Sequence, residues 1–392
     1  MAEIIRVDTR PSLFGFGALN RLPEELKSFE FKRVLVVTDS QIVKSGIIER
    51  VVDLLNKRFS IELFDDVPPE PLSTDVDGKK DLLPSDFDAL LAVGGGSSMD
   101  FAKALSITMR HGGLLEDYEG EGTVPGPVIP VVCIPTTSGT GSQSTQTTVY
   151  TVNEVKSGCS SEYIRPVFSI VDPELTMKLP PSVTRNAGYD ALMHSVEGFL
   201  ARPHRLVSER AILYQGSNPF SRGLALEAFR SIWGSYKQAV SEGNDRKARE
   251  GMSIGSHLAG LAFSHSGLGL VHALASSLGG MVNAPHGVCL AACTEIGLSY
   301  NLKFCEEDLR LLSSITRDKD RPKETTGSAE FFLDKLRALR GDLDLPSRPS
   351  ELGVRREAAR VLLQKTLIQT RRLKTNPRPI DDELLSFIEK GI

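Results

Sequence analysis

No Cys-x-x-Cys pair occurs in this 392-residue chain, although it holds five cysteines, Cys133, Cys159, Cys289, Cys293 and Cys305. An odd number without framework spacing argues against a disulfide scaffold and for reduced thiols in the cytoplasm. A charge excess is missing too. Lys and Arg number 46 against 50 Asp and Glu, a net charge of −4, which gives no electrostatic case for nucleic acid or an anionic membrane. The N-terminal stretch MAEIIRVDTRPSLFGFG lacks both a basic start and an apolar signal core, so export is not expected. Internal repeats and low-complexity tails are absent as well. Within the chain, Gly251 to Thr294 contains no Asp, Glu, Lys or Arg. That stretch could hide a membrane span on length alone. Its four histidines, Pro285, serines and many glycines favour a buried protein core instead.

The length suggests two domains, which we place at 1–180 and 181–392. The first half alternates short apolar runs with helix-like segments. Arg33 to Asp39, Ile61 to Phe64, Ala89 to Val93 and Val128 to Ile134 read as strands, and Ile47 to Asn56 as a helix. That rhythm predicts a parallel sheet with helices on both faces, whose ligands sit at the carboxyl ends of the strands. After Pro180-Pro181, with Ser182 or Thr184 as a possible cap, a helix should run through Asp190, His194 and Glu197. Ala, Leu, Gly and Ser then dominate, so the second half reads as all-α. Arg317 to Glu330 reads as a solvated loop between helices.

Gly94-Gly95-Gly96-Ser97-Ser98-Met99-Asp100 follows a strand and opens a helix. Its glycines let a pyrophosphate approach the backbone, and the helix start offers amide donors. It is not a GxGxxG fingerprint, and a plain tight turn is the alternative reading. Asp39 at a strand end is placed to accept a ribose hydroxyl and to repel the 2′-phosphate of NADP, which favours NAD. It could equally cap the next helix. Thr136, Thr137 and Thr140 add hydroxyls in a second Gly/Thr turn.

Only seven histidines occur in the chain, four of them in the uncharged stretch. Asp190 and His194, at i and i+4, share one face of the expected helix. One carboxylate and three imidazoles could hold Fe²⁺ or Zn²⁺, and a metal would compensate a buried Asp190. His257 and His265 read more simply as hydrogen-bonded core residues.

With these features go GGGSSMD at 94–100, IPTTSGTGS at 134–142, FSIVDPELTMKLPPSVT at 168–184, GYDALMHSVEGF at 188–199, FSHSGLGLVHALASSLGG at 263–280, APHGV at 284–288 and TNPRPI at 375–380. In this order they resemble the iron-containing (group III) alcohol dehydrogenases, with a dehydroquinate synthase-like fold. The resemblance implies an N-terminal α/β dinucleotide-binding domain, an all-α metal domain and an active site between them. It implies Asp190, His194, His272 and His286 as metal ligands, with Fe²⁺ favoured and Zn²⁺ possible. Gly95, Gly96 and Ser97 become the pyrophosphate loop, and Asp100 and Thr137 in the two turns are counted as cofactor-binding too. Asp39 becomes the cofactor-selecting acid, and Thr136, Thr140 and Lys156 further cofactor contacts. The implied reaction transfers a hydride between a small alcohol or aldehyde and NAD(P), with a homodimer as the default assembly.

Three departures stand out. Ser276 replaces a second histidine, one turn after His272, that serves proton relay in many relatives. Ser276, the cofactor ribose, a water or His265 must then carry the proton. Glu70 stands where some relatives have asparagine. The basic stretch Ala201 to Ser217 is long, fitting a surface loop or oligomer contact better than a lid over an anionic substrate. Other activities on such a fold are a metal- and NAD-dependent lyase or cyclase, a hydroxyacid-oxoacid-type transhydrogenase and a non-catalytic metal- and nucleotide-binding relative.

Overall fold

The structure is a computed structural model that describes residues 4–84, 86–152, 155–207, 213–316 and 328–392. The strands are β1 (Ser12–Phe14), β2 (Arg33–Val37), β3 (Ser60–Phe64), β4 (Ala89–Gly94), β5 (Gly120–Glu121), β6 (Val131–Pro135), β7 (Thr147–Val152), β8 (Val155–Ser160) and β9 (Phe168–Val171). Helices of the first half are α1 (Leu22–Ser28), α2 (Ser40–Lys44), α3 (Ile47–Leu55), α4 (Ser73–Lys80) and α5 (Gly96–His111). The second half holds α6 (Pro181–Leu200), α7 (Pro219–Ser241), α8 (Arg246–Ser266), α9 (Leu270–Val282) and α10 (His286–Asn301). It continues with α11 (Glu306–Ile315), α12 (Ala329–Asp342), α13 (Ala359–Leu367), α14 (Thr370–Leu373) and α15 (Leu384–Gly391).

Six strands form one parallel sheet in the order β1-β9-β6-β4-β2-β3. Their continuous apolar runs follow from burial on both faces. Leu35, Val37, Leu90, Ala92, Val131 and Cys133 join the core on one face. Val34, Val36, Leu91, Val93, Val132 and Ile134 join the core on the other, as a period of two requires. A third core, from Tyr189 to Ile388, belongs to the helices. The α/β half and the helical half are thus as expected.

Several details differ. The strand expected from Val128 starts at Val131; Pro130 has no N–H to donate, although its carbonyl accepts from the Leu90 amide at 2.8 Å. Neither Ser182 nor Thr184 caps α6, which starts at Pro181, where a missing N–H costs nothing. Residues 317–327 of the expected loop lie outside the described residues, and Glu330 is already in α12, behind the Ser328 cap. The sequence reading also passed over a small sheet, β5-β8-β7, in which β7 and β8 pair antiparallel.

The uncharged stretch is the interior of α8, α9 and α10. Among the described residues no single helix is long and apolar enough to cross a membrane; α8 and α9 pass that test only as a pair bent by 103°. All five cysteines are free and buried.

Candidate active site

The carboxyl ends of β4 and β6 open onto a cleft of about 270 Å³, walled on its far side by α6, α8, α9 and α10. That is close to the lower end of the roughly 300–1,000 Å³ of ordinary small-molecule pockets.

At the sheet side, Gly95 is the N-cap of α5, and Gly96 and Ser97 line the cleft. A Cβ on Gly96 would lie 2.6 Å from Thr140 Cγ2, so glycine is what lets the two turns meet. Asp39 caps α2, its Oδ1 accepting from the Gln41 and Ile42 amides, while Oδ2 accepts from Ser98 Oγ at 3.1 Å. The capping reading of Asp39 therefore holds, and its outer lone pairs remain compatible with a ribose. Thr140 lines the cleft; Thr136 and Thr137 lie behind the lining, Thr137 against Gly95 and Thr136 with its buried Oγ1 unpaired. Lys156 enters from β8 and reaches Glu70 Oε1 at 3.3 Å.

Asp100 also lines the cleft, but its Oδ1 accepts from Ser142 Oγ at 2.6 Å, which ties it to the second turn. Lys103, which the sequence reading overlooked, completes that tie. Its buried Nζ reaches Ser142 O at 2.7 Å, Thr147 O at 2.9 Å and Thr145 O at 3.1 Å. Burial pushes its ammonium pKa down, with Asp100 opposing. The turn is pressed onto the helical half at Gly141, where φ is +65° and the Gly260 backbone approaches too closely for any side chain.

On the helical side, Asp190, His272 and His286 place ligand atoms within 4.8 Å of one another. Asp190 Oδ1 lies 3.5 Å from His272 Nε2 and 3.9 Å from His286 Nε2. His194 Nε2 is also 3.5 Å from Asp190 Oδ1, but its ring stacks on His272 with centroids 4.5 Å apart and stands outside that group of three. Asp190 Oδ1 and His272 Nε2 are fully buried and have no hydrogen-bond partner. Such orphaned atoms, facing each other in a carboxylate–imidazole set, fit a divalent cation.

Burial opposes charge on Asp190, yet His194, His272 and His286 outweigh it and hold the carboxyl well below its usual range. Burial pushes His194 down to about 4 and His286 well below its ordinary value. Both are therefore neutral near pH 7, with a lone pair free for a cation. On His272 burial is outweighed by Asp190 and Glu197, and the net shift is upward. Periodicity alone marks Glu197 only as a residue of the helix. At i+7 from Asp190 it lies on the same face, and its Oε2 accepts from His272 Nδ1 at 2.5 Å.

Ser276 lines the cleft one turn after His272, with its buried Oγ unpaired. His265 is not among the lining residues. Its Nδ1 bonds Leu261 O at 2.8 Å and its Nε2 accepts from the Asp8 amide at 3.2 Å, so it cannot serve as a relay in this arrangement. His257 bridges Ser144 and Ser12, the core role expected for it. From the basic 201–217 stretch, Tyr214 reaches the cleft, whereas Arg202, His204 and Arg205 do not; Arg210 lies outside the described residues. Arg371 and Arg372, from the far end of the chain, line it instead.

Residues 10–173 match the family described as "Iron-containing alcohol dehydrogenase", and residues 184–390 match "Fe-containing alcohol dehydrogenase family, C-terminal". The chain is 33% identical over 371 residues to an NAD-dependent methanol dehydrogenase of Bacillus methanolicus, covering 94% of each. It is 30% identical over 382 residues to a sulfoacetaldehyde reductase of Bilophila wadsworthia, covering 96% of this chain and 95% of that one. An alcohol dehydrogenase from Oenococcus oeni superposes with a TM-score of 0.90 at 27% identity, covering 99% of this chain and all of that one. With both halves matched and full-length relatives above 30% identity, the chain belongs to the iron-containing alcohol dehydrogenase family.

Proposed function

We propose that this family member interconverts a small alcohol and its aldehyde with NAD(P), using one divalent metal held by Asp190, His272, His286 and His194. The observation that carries the metal assignment is the pair of buried, unpartnered atoms Asp190 Oδ1 and His272 Nε2 beside His286. When bound, the ion would polarise the substrate oxygen and the nicotinamide would exchange hydride with the substrate carbon. Iron is favoured by family and zinc remains compatible, because a His and Asp donor set suits both.

The chain's own residues divide the remaining work. The α5 amides at Gly96 and Ser97, next to Gly95, receive the pyrophosphate, and Thr140 and Lys156 flank it. Asp39 accepts a ribose hydroxyl and makes NAD the better cofactor. Glu197 fixes the ring of His272, and Phe263, stacked on His194 with centroids 4.3 Å apart, keeps water from that wall. Ser276 Oγ stands at the family's relay position, and it passes the proton directly or through water. Asp100 supports the second turn rather than the cofactor itself. The units 1–180 and 181–392 carry the nucleotide and metal halves, and a homodimer is the assembly to test first.

Replacing Asp190 or His272 with Ala should abolish both bound metal and NADH-linked turnover. Full activity with either substitution would remove the metal assignment.

The relatives' substrates differ in charge, methanol being neutral and sulfoacetaldehyde anionic. Family membership alone leaves that choice open.

A further inference from the structure

We propose that Arg371 and Arg372 form an anion-binding end of the substrate site, and that the substrate is a short aldehyde or alcohol carrying a carboxylate, sulfonate or phosphonate. This rests on the function proposed above and names its substrate class.

The argument is one of charge accounting within the cleft. Three acids line it, and each already has a cationic partner or role. Glu70 pairs with Lys156 at 3.3 Å. Asp100 lies 3.9 Å from Lys103, and Asp190 belongs to the imidazole cluster. Arg371 and Arg372 also line the cleft, and among the described residues neither makes an ion pair with a carboxylate. Two adjacent guanidiniums, partly buried and without a counter-charge, repel one another and lose hydration. Burial, followed by the charge of Arg371, pushes the Arg372 guanidinium down to about 9. A divalent ion at Asp190 would add still more positive charge nearby. A bound anion relieves all of this.

Their neutral contacts hold both arginines in place. Arg371 Nη1 donates to Ser160 Oγ at 2.7 Å, and its guanidinium carbon lies 5.8 Å from the centre of the Tyr214 ring. Arg372 donates to Gln369 Oε1. Lys156, Gly158 and Ser160 share one face of β8. A Cβ on Gly158 would lie 2.5 Å from Thr148 O and 3.6 Å from Arg371 Nη1, so glycine lets both the β7 backbone and the arginine approach there. Lys156 marks the end near Glu70 and Ser97, where the pyrophosphate is expected. Ser160 lies four residues further along, roughly 13 Å at strand rise. Arg371, held on Ser160, is thus displaced along β8 from the Lys156–Glu70 pair, and Arg372 follows it in the chain. Arg372, like Lys156, is close enough to the cluster to act electrostatically on His286, and it also feels the charge of Asp190. A short substrate can therefore present its oxygen to the imidazole cluster and its anion to the arginines. Guanidinium is well suited to that task, since its fork matches planar and tetrahedral oxyanions with paired N–H donors.

The test compares initial rates of NADH oxidation by metal-loaded enzyme on matched aldehydes. Succinic semialdehyde, sulfoacetaldehyde and phosphonoacetaldehyde distinguish the three anions, and propanal and butanal are the neutral controls. At least one anionic aldehyde should exceed the neutral ones in kcat/KM. Arg371→Gln and Arg372→Gln should each lower that value about 30-fold or more, mainly through KM, with neutral aldehydes changed less than about threefold. Neutral aldehydes turned over as well as every anionic one would overturn the proposal. So would a rise in the KM for NADH in place of the aldehyde KM, which would give the arginines to the cofactor phosphates. If no aldehyde of either kind is turned over, the parent reading fails. Calorimetric titration with 2-hydroxyethanesulfonate, malonate and 2-hydroxyethylphosphonate then decides the site separately. Binding by wild type that both Gln variants lose supports it, and no binding, or binding that both variants retain, overturns it.

Discussion

Glu197 and His272 are joined by two hydrogen bonds: Glu197 Oε2 accepts from the ring Nδ1 at 2.5 Å and from the backbone amide at 3.2 Å, while Oε1 takes the Val271 amide at 2.7 Å. One carboxylate thereby fixes both the start of α9 and the direction of the imidazole. The tautomer is fixed as well, because Nδ1 donates and Nε2 is left to face Asp190. Carboxylate partners of this kind raise the basicity of a metal-binding histidine.

Glu197→Gln keeps the shape but gives up the charge and one of the acceptors. Metal affinity should fall about 10–100-fold, read by competition with a chromogenic chelator. Unchanged affinity would show that His272 is oriented by something else.

Asp39 offers a cleaner test of cofactor choice than an alanine would. Its Oδ1 caps α2, and serine retains that ability while removing the charge. Asp39→Ser should raise the ratio of kcat/KM for NADPH over NADH by about tenfold or more, with stability changed by less than about 1 kcal/mol. An unaltered ratio would take Asp39 out of cofactor selection.

At Ser276 the prediction concerns pH. An imidazole introduced by Ser276→His donates a proton in its charged form, which prevails below a pKa near 6.5. Aldehyde reduction by the variant should gain a component at low pH that is lost as pH rises through that value. Superimposable pH–rate profiles for wild type and variant would remove this position from the proton path.

What the sequence disclosed and what it hid follow the range of each contact. The unbroken apolar runs Val34 to Val37 and Leu90 to Val93, buried on both faces, are a local signal, so the parallel sheet could be read directly. Asp190 and His194 are one turn apart on a single helix, and that spacing exposed the cluster. Glu197 continues the same face, and a search of i+7 would have found it. Arg371 was invisible by comparison: its partner Ser160 is 211 residues away, and no local pattern predicts such a contact. The basic 201–217 stretch drew attention instead, yet Tyr214 is what it sends into the cleft. His265 misled for a related reason. Its sequence neighbourhood is that of the ligands, but it sits on a face of α8 that bonds Asp8 and Leu261.

The most direct measurement is NADH oxidation on the aldehyde panel by anaerobically purified protein, first stripped of metal and then reloaded with Fe²⁺ or Zn²⁺. The account predicts no turnover when stripped and restored turnover after reloading, in wild type but not in Asp190→Ala or His272→Ala. Turnover that persists without metal, or that survives those substitutions, would contradict it.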